Sequence, residues 1–184
     1  METVQTSTQT IPRIDKHTRI RYRTAAPEDG KVLHTLVEDG GILELNSCYS
    51  YVLMCDHFAA TTMIAEVLGE ARGFVTAYRP PSHPDTVFVW QIGVHPSLRG
   101  RGVARGLLDA LVARPACRGV RYLEATVTPS NTASRRLFQS FARHRGSPCV
   151  ESGGYPGTIF AEEAHEAERL IRIGPFTSGA NALS

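Results

Sequence analysis

Apolar and polar residues alternate from Ile20 to Arg23, the pattern of a short strand with one buried face. Pro27 and Glu28 then suit the first turn of a helix whose Val32, Leu33, Leu36 and Val37 fall on one side, and Gly40 and Gly41 stop it. A loop from Ile42 to Ser47 leads into Cys48 to Phe58, where Tyr51, Met54, Cys55 and Phe58 recur at helical spacing and predict a second short helix. Three strands follow, at Thr61 to Val67, Gly73 to Tyr78 and Thr86 to Val94. The tight turn Leu68-Gly69-Glu70-Ala71 joins the first two and the proline-rich stretch Pro80 to Asp85 separates the second pair, so the three form an antiparallel meander.

Beyond a glycine-rich loop, Leu107, Leu108, Leu111 and Val112 give a helical stripe that Pro115 ends, and Tyr122 to Val127 reads as a strand. This is a strand, helix, strand crossover. Thr128-Pro129-Ser130-Asn131 caps a further helix running to about Ala142, with Leu137, Phe138 and Phe141 on its apolar side. From Pro148 to Ile173 short strand-like pieces surround Gly153, Gly154 and Gly157. Residues 1–17 are rich in Thr and Gln, show no apolar period and are expected to be a disordered tail. The ordered domain is expected at 18–174, with a flexible tail at 175–184.

A chain of 184 residues suits one well-filled core, and a formal charge of +2 with mixed signs gives no support to a nucleic-acid or membrane-surface partner. No run is long and apolar enough to span a bilayer and no secretory signal opens the chain, so a cytoplasmic protein is expected. Cys48, Cys55, Cys117 and Cys149 lie far apart without metal-type pairing, so neither a disulfide nor a metal site is expected.

The chemistry concentrates at Val94 to Ala104. Between a strand and a helix, Gly100 and Gly102 permit a tight turn that aims consecutive backbone N–H groups along the helix axis, an arrangement suited to pyrophosphate. Arg99 and Arg101 add positive charge, and Ala104 is small enough for close approach. The loop is neither G-x-x-x-x-G-K-[ST] nor G-x-G-x-x-G, which argues against a nucleotide triphosphatase or a dehydrogenase. Arg99-x-x-Gly102-x-Ala104 instead resembles the R/Q-x-x-G-x-G/A signature of the GNAT superfamily of acetyltransferases.

That resemblance implies an α/β (α+β) fold: a mixed, mostly antiparallel sheet with helices on both faces, splayed between two central parallel strands. It implies acetyl-CoA as acetyl donor, held by Ile92 and Val94 of the preceding strand and by Arg99, Gly100, Arg101, Gly102, Val103 and Ala104. It also assigns Asn131 to the pantetheine arm, with Ser134 and Phe138 facing the same cleft. Asn131 equally suits a helix N-cap, and the two roles can coexist.

A narrower resemblance is to the diaminobutyrate acetyltransferases of ectoine biosynthesis. It is carried by the segments from Gly41 to Tyr51, Gly73 to Pro81 and Phe88 to Ile92, and by His165-Glu166-Ala167-Glu168, and it spans about Arg19 to Ile173. It implies L-2,4-diaminobutyrate as acceptor, acetylated on its side-chain N4 amine, and a homodimer. Its substrate pocket falls on Glu44, Asn46, Tyr49, Trp90, His165 and Glu168. Direct attack on the thioester is expected, with Glu168, Glu44, or His165 through water as base, and strand N–H groups near Gln91 to Gly93 holding the oxyanion. Phe138 lacks the hydroxyl that many superfamily members use to protonate the thiolate, leaving Ser134 or water. Structural roles stay open beside these: sheet packing for Trp90, a solvated edge strand for His165 and Glu168, and helix core for Tyr49 and Tyr51. So do another small amine as acceptor and a regulator that binds coenzyme A without turnover.

Overall fold

The computed structural model describes residues 18–161 and 165–176. In chain order the elements are β1 (Arg21–Thr24), α1 (Asp29–Gly40), α2 (Cys48–Asp56), β2 (Met63–Val67), β3 (Glu70–Tyr78) and β4 (Thr86–Val94). Then come α3 (Val103–Val112), β5 (Tyr122–Val127), α4 (Thr132–His144), β6 (Cys149–Tyr155) and β7 (Glu168–Ile173). One seven-stranded sheet has the order β1-β2-β3-β4-β5-β7-β6. Every neighbouring pair is antiparallel except β4 and β5, which run parallel.

Local chemistry accounts for these elements. Leu68 and Gly69 form a two-residue hairpin turn with φ of 53° and 82°, so β3 begins at Glu70, earlier than the strand expected at Gly73. Helix α1 ends where Gly41 takes the left-handed conformation, φ 60°, and returns its N–H to the Val37 carbonyl. Helix α2 is capped by Ser47, whose side chain accepts from the Ser50 N–H. At the start of α1, Arg23 makes paired bonds of 2.7 and 2.8 Å to Asp29 and a third of 2.8 Å to Glu66, tying the helix to β1 and β2. Burial pushes the Asp29 carboxyl up, but the Arg23 and Ala26 hydrogen bonds outweigh it and hold it below its ordinary value.

Two apolar clusters fill the faces of the sheet. Leu107, Leu108 and Leu111 of α3 and Phe138 and Phe141 of α4 pack against Val87, Val89, Leu123 and Ala125. On the other face Leu33, Val37 and Tyr51 of α1 and α2 cover Ile64 and Phe74. The sheet is therefore mixed, mostly antiparallel and covered on both faces by helices.

Two expectations change. The segment from Glu166 to Arg169, which alternates like a solvated edge, leads into a strand held between β5 and β6, and β6 is the exposed edge. Packing also continues past Gly174, because Phe176 is buried and sits edge-on to Phe141 with ring centroids 6.4 Å apart. The tail expected at 1–17 and the residues at 177–184 lie outside the described part. Among the described residues no helix is long and apolar enough to cross a membrane.

Candidate active site

The parallel strands β4 and β5 stay paired only from Thr86 opposite Tyr122 to Val89 opposite Ala125, and beyond that they diverge. The opening coincides with a bulge in β4: Ala77 faces Val89 and Thr76 faces Gln91, so Trp90 is the extra residue. Thr76, fully buried, repairs the bulge by accepting the Gln91 N–H at 3.2 Å and donating to the Gln91 carbonyl at 3.3 Å. Gln91 thus turns both backbone polar groups toward β3, as His95 turns its N–H to the Arg72 carbonyl at 2.8 Å. Strand alternation then directs the backbone groups of Ile92 and Val94 into the gap.

On one side of the gap a groove runs to the start of α3. Ile92, Val94, Arg99, Ala104 and Ser134 line its inner part, about 200 Å³ in volume. Its outer part, about 600 Å³, is lined by Gly100, Gly102 and Val103, together with Arg99, Arg105 and Arg136. Gly102 is the N-cap of α3 at φ 76° and offers no side-chain cap, so the first N–H groups of the helix remain open to a ligand. Backbone donors, a helix N-terminus and three guanidinium groups make an anion site of the kind a pyrophosphate needs.

A second cavity of about 320 Å³ opens on the other side, lined among others by Glu44, Asn46, Trp90, Gln91, Asn131, Phe138, His165 and Glu168, with Ile92 and Ser134 on the wall shared with the groove. His165 stacks on Phe160 at 3.9 Å, and its Nδ1 lies 2.6 Å from the Glu166 carbonyl. A carbonyl can only accept, so Nδ1 carries a proton, and in the neutral ring that leaves the lone pair on Nε2. Glu168, half-buried, begins β7, and Glu44 is exposed on the loop after α1. Asn131 Oδ1 accepts the Ser134 N–H at 3.0 Å, which is its N-cap role, and the residue also lines the cavity. Trp90 packs on Tyr51 with ring centroids 5.9 Å apart and also lines the cavity.

A model of the acetyltransferase (GNAT) family matches residues 30–142, which include the groove and the gap. The chain belongs to the GNAT family of acetyltransferases. Among curated relatives, the L-2,4-diaminobutyric acid acetyltransferase of Marinococcus halophilus is 48% identical over 82% of this chain and 87% of its own length. That of Halalkalibacterium halodurans is 45% identical over 90% of this chain and 87% of its own. Among solved structures, diaminobutyrate acetyltransferase EctA from Paenibacillus lautus, in complex with L-2,4-diaminobutyric acid and coenzyme A, superposes with a TM-score of 0.83 at 44% identity. The match covers 88% of this chain and 98% of that one.

Within this GNAT fold two expected site residues stand apart from the rest. Tyr49 is 69% exposed on the first turn of α2 and does not line the cavity; Tyr51, two residues on and on the opposite side of the helix, is the buried tyrosine. Arg101 turns its guanidinium to the Thr18 carbonyl at 3.1 Å and is outside the groove lining, which includes Arg105 and Arg136 beside Arg99. Sequence reasoning missed those two arginines and the Gln91 side chain. For Gln91 a signal was present: an amide inside the otherwise apolar run Val87 to Val94.

Proposed function

We propose that this protein is a cytosolic enzyme that moves the acetyl group of acetyl-CoA to the side-chain N4 amine of L-2,4-diaminobutyrate, giving the N4-acetyl product from which ectoine is made. The observation that carries the reading is the gap between β4 and β5. It joins an anion-binding groove on one side to a cavity bearing Glu44, Glu168 and His165 on the other. The relatives named above supply the acceptor's identity.

The acceptor carries one carboxylate and two ammonium groups, and a primary amine with a pKa of roughly 10 is neutral in only about one molecule in a thousand at pH 7. A base is therefore needed. Glu168 at the cavity wall, or His165 through its Nε2 lone pair and a water, takes the proton as the amine nitrogen attacks the thioester carbon. Glu44 holds a second ammonium group at the cavity mouth, and the face of Trp90 receives the alkyl chain. The Ile92 N–H, turned into the gap, stabilises the oxyanion. The carbon–sulfur bond then breaks and coenzyme A leaves as its thiolate. Phe138 brings no hydroxyl to that point, so the proton comes from Ser134 or from water. On the donor side, the N-terminal N–H groups of α3 with Arg99, Arg105 and Arg136 take the pyrophosphate, and Asn131 Nδ2 donates to a carbonyl of the pantetheine arm.

The chain also pairs with a second copy in this reading, which the relatives' resemblance suggests and the exposed length of β6, with Val150 and Tyr155 on it, supports. Mass spectrometry of the product from diaminobutyrate and acetyl-CoA is the decisive test. One acetyl group on the side-chain nitrogen is expected; acetylation of the α-nitrogen, or faster turnover of another amine in a panel, overturns the assignment. Sedimentation in the same buffer should give a dimer.

A further inference from the structure

The interior of β4 carries a polar side chain to which the reaction above gives no part. Gln91 is 8% exposed, and because it follows the extra residue of the bulge, it and Trp90 both reach the acceptor cavity. Its Nε2 donates to the Glu44 carbonyl at 2.8 Å. That bond fixes which end of the amide is nitrogen, since a carbonyl cannot donate. The other end, Oε1, is buried with no partner among the described residues. Native interiors seldom leave an acceptor in that condition.

The surrounding contacts close a circuit. The Glu44 carbonyl also accepts from Asn46 Nδ2 at 3.3 Å, and the Asn46 N–H donates to Tyr51 Oη at 3.3 Å. Tyr51 packs on Trp90, the strand neighbour of Gln91. The 41–47 loop has no helix or strand of its own, and its Ile42 and Leu45 are exposed. Gln91 and Tyr51 are therefore the polar ties that register this loop, and Glu44 with it, against the bulge.

We propose that Gln91 positions the acceptor: its Nε2 latches the 41–47 loop through the Glu44 carbonyl, and its Oε1 takes an N–H from the amine that enters the cavity. The second half rests on the reading of that cavity as the amine site. A site so built favours acceptors that bring a donor to Oε1, because one that brings none leaves the oxygen buried and unpaired.

Hydrogen exchange and steady-state kinetics on the full chain test this. Gln91→Met keeps the side chain's length and removes both polar ends, whereas Gln91→Glu keeps an acceptor oxygen and loses the donor. Both should speed amide exchange at Asn46 about tenfold while the Kd of acetyl-CoA stays within about twofold. Gln91→Met should raise KM for diaminobutyrate about thirtyfold, and Gln91→Glu less than about tenfold, with kcat changing less than KM in both. Unchanged exchange at Asn46 overturns the latch, whatever amine the enzyme uses. Faster exchange with equal KM in the two variants overturns the role of Oε1. Loss of acetyl-CoA affinity by more than about tenfold overturns the proposal altogether and makes Gln91 a folding residue. Absence of diaminobutyrate turnover by the unaltered protein overturns the assigned acceptor instead, and the exchange result then decides on Gln91.

Discussion

The donor groove and the acceptor cavity share one wall of β4 but are made in different ways. The groove is largely backbone: N–H groups of Ile92, Val94 and the first turn of α3, aimed by a strand that has lost its neighbour and by glycines at φ 73° and 76°. The cavity is made of side chains from separate stretches, with Glu44 and Asn46 from one loop, Trp90 and Gln91 from the bulge, and His165 and Glu168 from the approach to β7. A donor site of backbone is set by conformation and tolerates side-chain variety. An acceptor site of side chains is set residue by residue, which is where a family can change substrate while keeping its donor.

That contrast can be broken by substitutions confined to one half. The largest effect is expected from Glu168→Gln combined with His165→Ala, which should lower kcat/KM for diaminobutyrate about 10²- to 10⁴-fold. Its acetyl-CoA Kd should be unchanged by calorimetry; wild-type kcat/KM across pH 6 to 9 removes both residues as the base. Gly102→Val attacks the other half by forcing a β-branched residue to φ 76°, and acetyl-CoA should bind about a hundredfold more weakly. Diaminobutyrate KM, read at saturating donor, should move little. Glu44→Ala follows, raising KM for the acceptor about tenfold with kcat nearly constant, as expected of a group that binds ground state and transition state alike.

Stability offers a smaller contrast. Asp29→Asn breaks the tie that seats α1, the helix leading into the acceptor loop, and should cost about 2 kcal/mol by chemical denaturation. Because the native Asp29 carboxyl titrates below its ordinary value, its contribution is complete above the unfolded pKa of roughly 4 and is lost as pH falls through the lower native one. The wild-type protein should therefore lose stability over that acid range, and the variant should lose less. The smallest effect concerns thiols: burial pushes Cys55 up to about 12 and Cys117 up to about 11. A thiol reagent at pH 8 should react fastest with exposed Cys48, more slowly with exposed Cys149, whose thiol is pushed up by partial burial and by Glu151, and slowest with the buried pair.

The two halves also differed in how far they could be read from sequence. Strands β4 and β5 were legible to the residue, because long apolar runs between turn signals fix them locally, and the Arg99 to Ala104 loop was legible because its chemistry lies in consecutive residues. The placing of β7 between β5 and β6 was not, since strand order is a long-range pairing that no local period encodes. Tyr49 was expected in the pocket and is exposed. The helical spacing of Tyr51, Met54 and Cys55 marked Tyr51 as the inward tyrosine, and the pocket role of Tyr49 came from the family resemblance and not from that spacing. No local motif marks Arg105 and Arg136, and only the meeting of α3 with α4 brings them to the same groove.

The position of β7 has a consequence for the order in which competence is acquired. Everything that lines the donor groove has been synthesised by Ser140, whereas Glu168 arrives on the last described strand and reaches the cleft only after that strand has entered between two others. The residues that line the groove are therefore all in place along the chain before Glu168, one of the two groups proposed above to draw a proton from the amine. Chemistry waits for the sheet to close.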